Sequence, residues 1–285
     1  MTSRLDVKKT YKLFIGGAFP RSESGRSYPI PNAKSAIAHP AQASRKDLRE
    51  AVLAAHEAAS SWAGATGYNR SQILYRIAEI MEGRRDQFES EIMELTKVTR
   101  ARAMTEVNEA IDLWVWYAGW CDKIDAIAGS NNPINGPYYN FTSPEPVGVV
   151  GIFAEEESAL LGLVRTLAPA LAGGNTTVLI ASERHPLPAI TLAEVFATSD
   201  VPKGVVNILT GIRTELAPWL ASHMEVDAMD ISGLGSTPAA KKLKSELRLQ
   251  AVENLKRIAD FGTSTSPQRI TALMEAKTIW HPVGI

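Results

Sequence analysis

An α/β fold built on a parallel sheet follows from three features of these 285 residues. Short β-branched runs recur at Val147 to Phe153, Thr176 to Ile180, Val205 to Leu209 and Ala228 to Ser232. Helical stretches from Ser158 to Leu171 and from Pro188 to Thr198 separate them, and such alternation requires crossovers between parallel strands. The chain before them is mainly helical.

That first part carries four apolar faces. Ser44 with Asp47 three positions on is a capping-box-like start, after which Leu48, Val52, Ala55, Ala59 and Trp62 recur on one side of a helix. Ile73, Leu74, Ile77, Ile80 and Met81 define a second face, Phe88, Ile92 and Leu95 a third, and Val107, Ile111, Trp114 and Ala118 a fourth. These helices are expected to form a layer over one face of the sheet. Gly129 to Pro146 is rich in Gly, Pro and Asn but holds Tyr138, Tyr139 and Phe141; it reads as an interface segment or as an ordinary surface loop. Further on, Gly233 to Pro238 follows a strand and opens a helix, with Thr237 as N-cap and Pro238 at the first helical position. A pyrophosphate could rest on such a helix start, and a capped helix without a ligand fits equally. Ser264 to Pro267 looks like a linker.

Composition narrows the function. A hydrophobic content of 45% with 21% charged residues suits a large globular core. The formal net charge of -1, with no basic stripe, argues against nucleic acid. No apolar run approaches the roughly 20 residues that span a bilayer, and Met1 to Thr10 is polar and basic, unlike a signal peptide. A cytoplasmic protein with no membrane partner is expected. The single cysteine, Cys121, cannot form an intrachain disulfide, and it follows Trp114, Tyr117 and Ala118 on a helical pattern that favours a packing thiol. His39, His56, His185, His223 and His281 are scattered without metal-ligand spacing, so no metal site is expected.

The segment Pro146-Val147-Gly148-Val149-Val150-Gly151-Ile152-Phe153 resembles a strand of the aldehyde dehydrogenase superfamily. The resemblance extends upstream through Ser61-Trp62-Ala63, Arg70 to Ile80, Glu109 to Asp112, Tyr117 to Trp120 and Gly136 to Thr142. Downstream it includes Ala168 to Thr176, Pro202 to Ile208, and Glu275 to Trp280, which looks like the family's closing strand. It implies a Rossmann-like, NAD-binding-like domain over residues 11–128 and 147–262, with an oligomerisation hairpin and terminal strand over 129–146 and 263–285. Lys277 to Trp280 would pair with the hairpin across or within subunits.

The resemblance also exposes departures. Aligned on Gly148 to Gly151, Glu157 occupies the place of the Asn that helps hold an oxyanion, at the end of the acidic run Glu155-Glu156-Glu157. Three carboxylates there oppose both an oxyanion and a cofactor, although acidic residues also suit a helix start. The family's Lys at the end of the next strand is Ile180, which cannot hydrogen-bond, whereas Glu183 can still accept from a ribose hydroxyl. Losing one charged partner costs about 1.5–3 kcal/mol. Glu183, Gly211, Gly235 and Ser236 are the implied remnant of a cofactor site, so no cofactor, or weak NAD(P), is expected. The family's Glu-Leu-Gly-Gly-Lys, Gly-Gln-x-Cys and Glu-Ile-Phe-Gly-Pro segments do not occur, so the catalytic domain, with its nucleophile and general base, is read as absent.

The expected protein is a catalytically degenerate aldehyde dehydrogenase homologue, inactive alone, acting as a structural or regulatory subunit. Its expected partner is a full-length aldehyde dehydrogenase or itself. The alternatives are a subunit of an active NAD(P)-dependent oxidoreductase whose nucleophile comes from a partner chain, and a nucleotide-binding regulatory protein.

Overall fold

The computed structural model describes residues 7–32 and 35–284; the first six residues of the Met1 to Thr10 stretch lie outside the described residues. The helical part comprises α1 (Arg45–Ala63), α2 (Gly67–Gly83), α3 (Arg85–Thr96), α4 (Arg100–Ala118) and the short α5 (Ile124–Ala128). It leads into β1 (Ser130–Asn131), β2 (Tyr138–Pro146) and β3 (Val149–Phe153). Then follow α6 (Leu161–Ala172), β4 (Thr176–Ile180), α7 (Leu187–Phe196), β5 (Val206–Leu209), α8 (Arg213–Ser222) and β6 (Ala228–Asp230). The chain closes with α9 (Pro238–Val252), β7 (Arg257–Ala259), α10 (Gln268–Thr271) and β8 (Met274–Pro282).

Strands β3 to β7 form a parallel sheet in the order β5-β4-β3-β6-β7. The chain builds outward from β3 on one side, then returns to build on the other. Residues on successive strand positions point to opposite faces. Val150, Ile152 and Leu179 join one core with α6 and α7, while Val149, Phe153, Val178 and Ile180 join the other with α1 and α8. Both faces are therefore apolar, as a covered parallel sheet requires.

The helical layer differs from the sequence expectation. Only α1 of the first four helices packs on the sheet, against β4 and β5, on the α8 face. Helices α2, α3 and α4 lie on the other side, stacked over α6 and α7 as an outer layer. The cause is that α6 and α7 are apolar nearly all round and need a second covering layer. Helix α1 starts as its sequence predicts, with Ser44 and Asp47 forming a reciprocal capping box.

The hairpin segment forms β1 and β2, and β8 pairs antiparallel with β2 from Tyr138 opposite Pro282 to Pro146 opposite Met274. The pairing lies within the chain. This three-stranded sheet, in the order β1-β2-β8, is separate from the parallel one.

The segment between the two sheets is held down by one buried side chain. Arg269 has no exposed side-chain surface and bonds the Asp230 carboxylate at 3.1 Å. Its Nε donates to Ser264 O and its Nη2 to Gly262 O, each at 2.6 Å. The expected linker at Ser264 to Pro267 is thus tied to the end of β6. Removing one partner of a buried ion pair strands the other charge, so Arg269→Ala should cost about 3–5 kcal/mol in a urea melt. A loss below about 1 kcal/mol would show that the pair is not what fixes the segment.

Candidate functional site

In a parallel sheet that reverses its strand order, ligands bind beyond the carboxyl ends of the strands at the point of reversal. Here that point lies between β3 and β6. A cleft of about 680 Å³ opens beside it, lined by Glu155, Glu156, Arg184, the Ser232 to Thr237 loop, Lys244 and Asp260 among others. The loop approaches β3 closely: a Cβ on Gly233 would collide with the Phe153 carbonyl.

The acidic run does not present three free charges. Glu155 pairs with Arg165 of α6 at 2.6 Å, both side chains largely buried. Glu156 pairs with Arg213 at 2.9 Å and accepts from Ser182 Oγ at 2.7 Å and Glu183 N at 3.0 Å. Burial opposes ionisation of Glu156, but Arg213, Ser182 and the neighbouring amides outweigh it and hold the carboxyl below its ordinary value. Only Glu157 is exposed, 3.6 Å from the Arg184 guanidinium. Nor does the run cap α6. Glu106 of α4 does so, accepting from Ser158 Oγ and Leu160 N at 2.8 Å and from Leu161 N at 3.2 Å. The helix accordingly starts at Leu161, later than the expected Ser158.

The other sequence-derived positions are dispersed. Glu183 stands near the crevice, and its carboxylate accepts from Arg213 N at 2.5 Å, the first amide of α8. Ile180 is fully buried in the core shared with α1 and α8. Gly211 has a backbone role: its φ is 152°, and the adjacent Thr210 carbonyl accepts from Ala43 N at 2.8 Å. Gly235 and Ser236 are exposed on the cleft's lip, with Gly235 at φ 77°. Behind them Thr237 caps α9, accepting from Ala240 N at 3.2 Å.

Arg213 is the central group, and sequence reasoning does not single it out. It lies in the first turn of α8, is 5% exposed, and aims its guanidinium along the strand ends. Nε reaches Ala181 O at 3.4 Å, Nη1 reaches Gly233 O at 3.4 Å, and Nη2 bonds Ala154 O. The available sequence signal is weak: an Arg two positions after a glycine that follows a strand.

The comparisons agree with this architecture. The sequence profile of the aldehyde dehydrogenase family matches residues 21–262. The chain belongs to that family. It is 35% identical over 266 residues to the cytosolic 10-formyltetrahydrofolate dehydrogenase of Xenopus tropicalis, covering 90% of this chain and 29% of that protein. It is 34% identical over 250 residues to the mitochondrial benzaldehyde dehydrogenase of Antirrhinum majus, covering 86% of this chain and 45% of that one. An aldehyde dehydrogenase from Bacillus cereus, solved with NAD+, superposes with a TM-score of 0.79 at 29% identity over 88% of this chain and 50% of its own. The chain thus spans half or less of the length of these relatives.

No helix among the described residues is long and apolar enough to cross a membrane, and no group of His, Cys, Asp and Glu among them could hold a metal ion. Cys121 lies in the helical region, 3% exposed, with its Sγ directed at Tyr117 O at 3.5 Å. Burial pushes its thiol up to about 12. The thiolate is the reactive species. Alkylation of native protein by iodoacetamide at pH 8 should therefore run roughly a thousandfold slower than in denaturant. Comparable rates in the two states would mean that Cys121 is open and ionisable.

Proposed function

We propose that this chain is a catalytically degenerate aldehyde dehydrogenase homologue that acts as a structural or regulatory subunit. The observation that carries this reading is the β1-β2-β8 sheet. Among the described residues no strand pairs with the outer edge of β8, and Tyr138, Tyr139 and Trp280 are 45%, 48% and 59% exposed. Tyr138 packs edge-on to Trp280 at 5.9 Å, and Tyr139 lies 5.4 Å from Phe141. Rigid exposed aromatics beside an open strand edge suit burial against another protein. The favoured partner is a complete aldehyde dehydrogenase, with a second copy of this chain as the fallback.

The chemistry of the described residues supports the same reading. Acyl transfer needs a nucleophile beside its base. Cys121, the sequence's one cysteine, is buried with its Sγ on the Tyr117 carbonyl, and by the family resemblance Glu157 takes the position of the Asn that helps hold an oxyanion. A second reading, a nucleotide-binding regulatory protein, draws on the cleft beside β3 and β6.

The isolated chain should oxidise no aldehyde, and static light scattering should show an assembly. Native purification followed by mass spectrometry should recover a complete aldehyde dehydrogenase. Tyr139→Asp with Phe141→Asp should release the chain while leaving its far-UV circular dichroism intact. A monodisperse wild-type monomer at micromolar concentration, with no dehydrogenase recovered, would sink the subunit reading and favour the nucleotide-binding one.

A further inference from the structure

The crevice where an open parallel sheet ordinarily takes its ligand is already filled by the chain's own charges. Arg213 enters from α8 and reaches carbonyls that follow β3, β4 and β6, those of Ala154, Ala181 and Gly233. Its charge is balanced inside the fold by Glu156, 2.9 Å away. Glu156 is fixed in turn by Ser182 Oγ and by the amides of Glu183 and Arg184. The first amide of α8, which would otherwise face an incoming anion, is taken by the Glu183 carboxylate at 2.5 Å.

We propose that Arg213 and Glu156 form an internal plug that excludes a dinucleotide from the switch-point crevice. This goes beyond the cofactor expectation drawn from sequence, which rests on Ile180 and on three unpaired carboxylates. Ile180 faces the apolar core, and all three of those carboxylates are paired with arginines, Glu157 only at the surface. The residues at the crevice do not fit NAD+. A ligand would have to displace a guanidinium from three carbonyls and a carboxylate, and its phosphates would meet Glu156 and Glu183 already on the available donors. The open cleft on the Ser232 to Thr237 side lies beside the plug and leaves these partners in place.

The inference rests on the degenerate-homologue reading, but the two can fail separately. NAD+ is titrated into the wild-type chain and into Arg213→Ala/Glu156→Gln by calorimetry, with near-UV circular dichroism to check packing. The second substitution avoids leaving a buried carboxylate unpaired. The wild type should give no saturable heat up to millimolar NAD+, whereas the double variant should bind at least about tenfold more tightly than the wild-type limit. If the double variant does not fold, Arg213→Lys decides. It keeps the charge beside Glu156 but lacks the planar fork, and it too should bind more tightly than the wild type. Micromolar binding by the wild type would overturn the plug. So would a folded variant that binds no better than the wild type; in that case the subunit reading still stands on assembly and inactivity.

Discussion

Backbone carbonyls at the carboxyl edge of a parallel sheet and in the buried loops beyond it must find donors, and here Arg213 and Arg269 supply several of them. Arg213 gathers the carbonyls of Ala154, Ala181 and Gly233, and Arg269 gathers those of Gly262 and Ser264. Each carries a carboxylate partner into the fold, Glu156 and Asp230 respectively. A buried guanidinium without a counter-charge would be strongly unfavourable, so the two acids are as necessary as the two arginines. The planar guanidinium suits the task because its donors point in several fixed directions at once, which a lysine cannot match.

The same constraint explains the acidic run. Viewed as sequence, Glu155 to Glu157 is a patch of repulsion, but the fold spends its members separately. Glu155 turns back onto Arg165, Glu156 turns inward to Arg213, and Glu157 alone stays in solvent near Arg184. The helix start that the run might have served is instead satisfied by Glu106, brought over by α4. A single carboxylate from another element thus accepts from one hydroxyl and two amides, and it ties the outer helical layer to the inner one.

Much of the fold is legible in local pattern, because burial on both sides writes continuous β-branched runs and a capped apolar face writes a helix. Strands β3 to β6, the capping box at Ser44 and the Thr237 cap are of this kind. Three features are not. Strand β7 is three residues long, flanked by Lys256 and Asp260, and carries too few apolar positions to announce itself. The separation of α1 from α2, α3 and α4 depends on which sheet face each helix finds, and periodicity does not encode that. The pairing of Arg213 with Glu156 joins residues 57 positions apart by number, and nothing local distinguishes that arginine from a solvated one. The family resemblance was legible because it rests on several ordered motifs, whereas the state of the crevice depends on which charges meet in space.

The two sheets therefore stand in different positions. The parallel sheet is covered: helices lie over both faces, and at its carboxyl edge the carbonyls of Ala154, Ala181 and Gly233 are bonded to Arg213. The β1-β2-β8 sheet is not, since β8 is exposed along most of its length and presents its outer edge to solvent. Exposed edges are ordinarily blunted by charge, proline or a covering element. In β8 the charges are Glu275 and Lys277, near the start of the strand, and Lys277 is bonded to Glu145 of β2 at 2.8 Å. The following stretch, from Thr278 to Trp280, carries no charge and holds the aromatic contact to Tyr138, before the strand closes on Pro282. The unmet physical demand among the described residues thus lies along that stretch of the small sheet rather than at the crevice.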